Sequence, residues 1–252
     1  MLKTLRFRKY ILYALGEILL VMIGILLALY VNNKNQIRQN RKTEVQYLTS
    51  LKEEFTRNLK EVDRVIDICE SIKKTGTNLA NWAVPNTHNL SPSTIEQNFA
   101  MTFAGPPKFI KSPGILNDLI SSGNLNKIRN SEIRYLLQQW FTIIKEIEDE
   151  EDELWRHRFD VIDFVNKNLS IKSVLATVNL LSNFDGLDNN LNFKSDSRAL
   201  LKSRYFENLL LFYLVTLDSL EQNYYPQLRR NINAIIDEID KEITSNTNHK
   251  KS

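Results

Sequence analysis

The sequence predicts an all-α protein, with an N-terminal transmembrane helix continuing into a bundle of about four long helices. Three observations carry this. Gly and Pro are sparse, seven and six in 252 residues, which disfavours a turn-rich β fold. Ile11 to Val31 is an apolar run with one charge, Glu17. Apolar residues beyond it recur at steps of three and four, the helical period.

The apolar run defines the first elements. At ~1.5 Å per residue it spans about 31 Å, close to the ~30 Å hydrocarbon thickness of a bilayer. A basic tail, residues 1–9, precedes a span at 10–31, and Tyr10, Tyr13 and Tyr30 mark its two ends. The run exceeds a signal-peptide core and ends ALYVNN, with no small-x-small cleavage site, so a retained anchor is expected. The basic residues are nearly balanced across the run. Those on the N-terminal side are packed into nine residues, which favours a cytoplasmic N-terminus, with the helical domain on the far, periplasmic side of the cell membrane.

Residues 32–75 read as one juxtamembrane helix. Its stripe is Val45, Leu48, Leu51, Phe55, Leu59, Val62, Val65 or Ile66, Cys69 and Ile72. The stripe suits packing against the chain's own later helices or a self-paired coiled coil. A helical domain is expected over 76–243, starting with an irregular stretch from 75 to 114. There, Ser91 or Ser93 is placed to cap STIEQNFAMTFA, with Glu96 as the capping-box acid. Ser112–Pro113 opens a short helix to Ser121, and Gly123 closes it as a structural hinge. Leu125 and Ile128 are expected to turn inward. Asn130 or Ser131 starts a helix through Leu169 with the stripe Ile133, Leu136 or Leu137, Trp140, Ile143 or Ile144, Ile147, Leu154, Phe159, Ile162 and Val165.

Residues 170–196 read as loop-like, with a short helix at Val174 to Leu180. A last helix from Arg198 to about Ile243 is capped by Asp196 or Ser197 and kinked at Pro226. Within it LLLFYLVTL, residues 209–217, reads as the most buried segment. Residues 244–252 read as a disordered tail.

Composition limits the function classes. Residues 1–42 carry a net charge of +7 and the rest −4, so the basic excess is juxtamembrane and suits anionic lipid heads. No nucleic acid is expected as partner, since that needs a basic face on the folded domain. The single Cys69 excludes an internal disulfide framework and reads as a small core residue. EIEDEEDE, residues 146–153, lacks the glycine turn of a calcium loop and reads as a solvated helix face. His88, His157 and His249 have no metal-ligand spacing, and Trp155 to Arg158 reads as a core-edge cluster. There is no Gly-rich phosphate loop, no G-x-S-x-G and no other nucleophile motif. No catalytic residue, cofactor or metal site is assigned.

One candidate remains. Glu17 aligns with Val21, Gly24, Ala28 and Val31 at helical spacing. Gly24 and Ala28 form a small-xxx-small pair that lets a second helix approach. Glu17, Gly24 and Ala28 are therefore assigned as a helix–helix contact in the membrane, with self-association or a partner membrane helix on the other side. The alternative is that Glu17 snorkels or is protonated near the boundary.

YALGEILLVMIGILLALYVNN, SSGNLNKIRN at 121–130 and RALLKSRYFENLL at 198–210 resemble a bacterial membrane family filed as domain of unknown function 6090. The resemblance implies a recurring Glu17 segment and no established activity. The expected role is a membrane-anchored scaffold or interaction protein. The alternative is an enzyme whose site is assembled from loops 75–114 and 170–196. Converging acids, His or Lys in a pocket would favour the enzyme, and a closed bundle with an exposed apolar groove would favour binding.

Overall fold

The computed structural model describes residues 2–83, 90–112, 114–184 and 197–248, with side chains from 15 to 245 within that range. The fold is all-α, with no strand among the described residues. Helix α1, Leu2–Trp82, is one uninterrupted element of 81 residues, about 120 Å long. It absorbs the basic tail and the apolar run and then enters the bundle. Every described side chain from Leu15 to Asn40 is exposed, and burial begins near Glu44.

α1 passes the expected boundary at 75 and runs through Gly76. This glycine does not break the helix. A Cβ there would lie 2.6 Å from Leu214 Cδ2, so its missing side chain admits a neighbouring helix. The expected stripe is buried at Leu48, Leu51, Phe55, Val62, Val65, Cys69 and Ile72, and it continues to Leu79.

Two further rods complete the core. α4, Ser131–Asn168, starts at an Asn130 cap whose side-chain oxygen accepts from the Glu132 and Ile133 amides. α7, Arg204–Ser219, and α8, Tyr225–Asn248, are joined by a π-helical turn at Leu220–Tyr224. The widened turn lies just before Pro226, which has no N–H and crowds the carbonyl four residues earlier; this is where a kink was expected. The expected single helix from Arg198 is interrupted instead. α6, Ser197–Leu201, ends, and Ser203 caps α7 by accepting from the Phe206 amide. Asp196 lies outside the described residues. α8 continues past Ile243 to Asn248, with Thr244 and Ser245 hydroxyls bonded to carbonyls of the preceding turn, so the tail is helical as far as 248.

α8 runs antiparallel to α1. Arg41 bonds Glu242 near the end of α8, Arg229 near its start bonds Asp63, and beyond it Lys73 bonds Asp218 of α7 and Glu221 of the π turn. The fourth side is built from short pieces. α2, Pro92–Phe103, is capped by Ser91, with Pro92 in its first turn. Glu96 does not close a capping box; it is buried and accepts from the Ser173 hydroxyl at the start of α5, Ile171–Thr177. From Ala104 the chain descends along α1 to α3, Ile115–Ser121, and to a 3₁₀ turn at Asn124–Lys127. The core joins all sides, with Phe55 edge-on to Trp140 at 4.9 Å and Phe109 edge-on to the same ring at 6.1 Å.

Candidate functional site

The descending segment, residues 104 to 130, makes its own backbone bonds in α3 and the turns after it. Elsewhere along it, amides are satisfied by side chains from the rods. The Ile110 N–H donates to Glu61, the Ser112 N–H to Asn58 at 2.8 Å, the Leu116 N–H to Glu54, and the Arg129 N–H to Glu44 at 2.7 Å. On the other flank the Phe109 N–H and the Tyr225 hydroxyl both donate to Glu151 Oε1, at 2.7 and 2.9 Å. The segment is a strap fastened to α1 and α4 by acceptors, four of them on α1. The reason is elementary: a buried N–H without a partner costs ~1–3 kcal/mol, and a carboxylate satisfies it strongly.

Two sequence readings are corrected here. The cap expected from Ser112 is not used; α3 has Gly114 as N-cap, with no side-chain cap of its own. Glu54 reaches across from α1 to bond its first amides, and Gly114 leaves room, since a Cβ there would lie 3.0 Å from Glu54 Oε2. Pro113 lies outside the described residues. The acidic run is not wholly solvated either. Glu151 is 3% exposed, because it stands four residues after Ile147 and three before Leu154, on the buried stripe itself. That spacing is the sequence signal that could have found it. Burial pushes the carboxyls of both Glu54 and Glu151 above the ordinary range, against the bonds from strap amides that lower them.

Gly123 holds φ +68°, the left-handed conformation, one residue past the Ser122 cap of α3, and its N–H bonds Ile120 O at 3.0 Å. Ile128 is fully buried and Leu125 packs partly against the core. The Asn130 amide nitrogen then bonds Glu238 and Glu242, tying the corner to α8.

The intramembrane candidates lie elsewhere. Glu17, Gly24 and Ala28 are exposed on α1, and nothing stands within 4 Å of a Cβ placed on Gly24. Among the described residues none brings a donor to Glu17.

Beyond α1, two surfaces are open. LLLFYLVTL is not the most buried segment: Leu210, Tyr213 and Leu217 face the core, while Leu211, Phe212 and Val215 are exposed, Phe212 at 61% and Val215 at 66%. An apolar run cannot reveal which of its faces lacks a neighbour. His157 stacks on Phe212 at 5.8 Å, and Arg158 lies over Trp155 while donating to Phe103 O. Phe159, expected in the core, is exposed, and Val161 takes the buried place. Between α4 and α8 runs an open groove of about 570 Å³, lined by Leu136, Gln139, Ile143, Glu146, Arg230 and Asn231 among others. Asn231 donates to Leu136 O.

The segments named for an enzyme meet where α2 packs on α5, with Glu96 accepting from the Ser173 hydroxyl. Residues 75–82 are helical, and 84–89 and 185–196 lie outside the described residues. Among the described residues no three His, Cys, Asp or Glu side chains gather to hold a metal ion. The Cys69 thiol is buried and pushed up to about 12, which keeps it protonated and unreactive. His88 and His249 lie outside the described residues.

No curated protein and no solved structure matches the chain. A family profile does, over residues 17–147, a stretch that opens at Glu17 and holds the strap with all four of its α1 acceptors. The chain belongs to the family of unknown function DUF6090.

Proposed function

We propose that the chain is a membrane-anchored helical scaffold or interaction protein. The observation that carries this is α1 itself. Its described residues 15–40 touch no other part of the described chain, yet the same helix forms one wall of the bundle. Among the described residues one helix is long and apolar enough to cross a membrane. Such a helix buries its apolar surface in lipid, and the bundle is displayed beside it. The N-terminus is placed in the cytoplasm and the bundle on the far side, from the packing of basic residues into the first nine positions.

The partner reading follows from Glu17, Gly24 and Ala28. A carboxylate in hydrocarbon is costly and by default faces protein. The small pair allows a second copy or another membrane helix to come close enough to supply a donor. On the bundle, the exposed α7 face and the α4–α8 groove are the surfaces available to a soluble partner. The acids nearest the loops are engaged with the chain's own amides, which favours this reading over a catalytic one.

The test has two parts. The full chain expressed in cells should stay in the membrane pellet through alkaline extraction, with the bundle protected from protease on the cytoplasmic side. Release by alkali would overturn the anchor. Affinity purification from those membranes in mild detergent should then retain a second tagged copy or a stoichiometric membrane partner; a monomer with no co-purifying helix would overturn the scaffold.

A further inference from the structure

The inference rests on the anchor reading and concerns the end of the bundle nearest the apolar run. Between Glu17 and Glu44 the chain has no acid, and it carries Lys34, Arg38, Arg41 and Lys42. Lys34, Arg38 and Lys42 are spaced four apart and share one side of α1. All three are exposed, and none has an acidic partner among the described residues. Because α1 is unbroken, helical rise sets their heights: about 5, 11 and 17 Å beyond Val31. The headgroup layer is roughly 5–8 Å deep on each side. The Lys34 ammonium lies 5.4 Å from the Tyr30 ring centroid, one turn nearer the apolar run.

The strap adds to the same end. It descends α1 from Glu61 to Glu54 to Glu44, so its last turn, Asn124–Lys127, arrives at the level of the bundle's base. Lys127 is exposed there, with no acidic partner among the described residues. Arg129 bonds Glu44 through Nε yet leaves its side chain 59% exposed. Most acids of this end are engaged: Glu44 by Arg41 and Arg129, Glu242 by Arg41 and Asn130, Glu238 by Asn130 and Lys241; Glu132 and Asp237 are exposed acids beside them. Farther out, Lys52, Arg64, Lys73, Lys111, Lys145, Lys167 and Arg229 each sit on a carboxylate, while Lys60, Lys74, Lys108, Lys202, Arg204 and Arg230 are exposed cations scattered over several elements.

We infer that the base of the bundle is a binding surface for anionic lipid headgroups, formed by Lys34, Arg38 and Lys42 of α1 together with Lys127 and Arg129 of the strap corner. The occupant is the bilayer that holds α1. Its phosphates complement the excess cations: the unbroken helix holds Lys34 at headgroup height, and a tilt of the rod toward the strap corner lowers the cations above it to the same layer. The contact fixes the azimuth and tilt of the bundle on the membrane, because Lys127 and the exposed part of Arg129 reach the lipid when the strap corner is turned toward it.

The experiment uses the full chain carrying Cys69→Ala and one fluorophore-labelled cysteine, Asn126→Cys or Leu26→Cys. It is reconstituted in vesicles of phosphatidylcholine, with or without a third of the lipid as phosphatidylglycerol. Lipids spin-labelled at the headgroup or in the tail serve as quenchers. Headgroup quenching at position 126 should rise roughly twofold with phosphatidylglycerol and fall back in 1 M salt, where screening acts over about 3 Å. Lys127→Glu with Arg38→Glu should abolish the rise, and free inorganic phosphate should not compete. Quenching at 126 that is the same in both lipids, with position 26 quenched by tail labels, overturns the lipid surface and leaves the anchor standing. An unquenched position 26 overturns the anchor reading itself. Competition by inorganic phosphate would overturn the bilayer as the occupant.

Discussion

Two kinds of glutamate stand in apolar surroundings in this molecule, and they are treated differently. Glu54 and Glu151 lie in the bundle, 3% exposed, and each accepts amides from the strap. Glu17 lies in the apolar stretch of α1 with no donor among the described residues. The difference teaches what a carboxylate does in each place. In the bundle it satisfies strap amides that find no backbone acceptor within the strap. In the anchor it is an acceptor still to be matched, and the match must come from lipid headgroups, water or another helix.

The largest expected effect tests the bundle side. Glu151→Leu removes the acceptor of two buried donors, the Phe109 amide and the Tyr225 hydroxyl. At ~1–3 kcal/mol for each stranded donor, a loss of about 3 kcal/mol is expected. Urea unfolding of the full chain in detergent, followed by circular dichroism, measures it. Glu151→Gln should lose less than half as much. Equal losses for the two variants would mean that packing, and not bonding, is the role of Glu151.

The strap's lower fastening is next. Gly123→Ala forces a side chain into the left-handed region and should cost about 1 kcal/mol or more. The same substitution at Gly24, an ordinary helical position, should stabilise the helix slightly by propensity. A neutral Gly123→Ala in the same unfolding assay would show that the corner relaxes.

On the anchor side, Glu17→Leu should weaken association by about 0.6–2 kcal/mol, while Glu17→Gln keeps most of it, because an amide still bonds across a helix contact. Cysteine crosslinking along the span, with Cys69 replaced, reads this out. Crosslinking that is equal on all faces and unchanged in Glu17→Leu would place Glu17 among tolerated charges.

The smallest effect is in pH. The folded carboxyls of Glu54 and Glu151 are raised above 4.5, with burial as the largest cause. A raised carboxyl contributes stability that is full below the unfolded value and is lost as pH rises through the folded one. Glu61, held down first by Arg64, works the opposite way and loses its contribution as pH falls. Glu54→Gln should therefore flatten the loss of stability with rising pH just above 4.5, and Glu61→Gln should flatten the loss on the acid side. Midpoints of thermal unfolding across that range decide; a steeper curve in Glu54→Gln would reverse the assignment.

The helical period made much of this architecture readable. Asn130 as a cap, the stripe of α4 as far as Leu154 and the entry of α1 into the bundle follow from spacing and local chemistry. What escaped depends on neighbours far along the chain. Gly76 reads as a breaker until Leu214 is set against it. Glu151 hides in a run of acids although its position continues the apolar stripe. The two faces of LLLFYLVTL look alike, since solvent exposure of Phe212 and Val215 is decided by which helices are absent beside them. The strap was least legible, because its amides are satisfied by Glu44, Glu54, Asn58, Glu61 and Glu151, acceptors that lie dozens of residues away on rods.

The length of α1 also has a mechanical side. From Val31 to Trp82 the rod extends about 77 Å with no hinge, and the strap stiffens its middle. With the apolar run held in a bilayer, it becomes a lever pivoting at the membrane surface. Membrane helices adopt tilts between 0 and about 40°, and a 10° change within that range sweeps the far end through about 13 Å. A thinner bilayer, or a partner that straightens the span, is thereby converted into a lateral displacement of α2 and the start of α7, wide enough to bring those surfaces to a neighbour or carry them away.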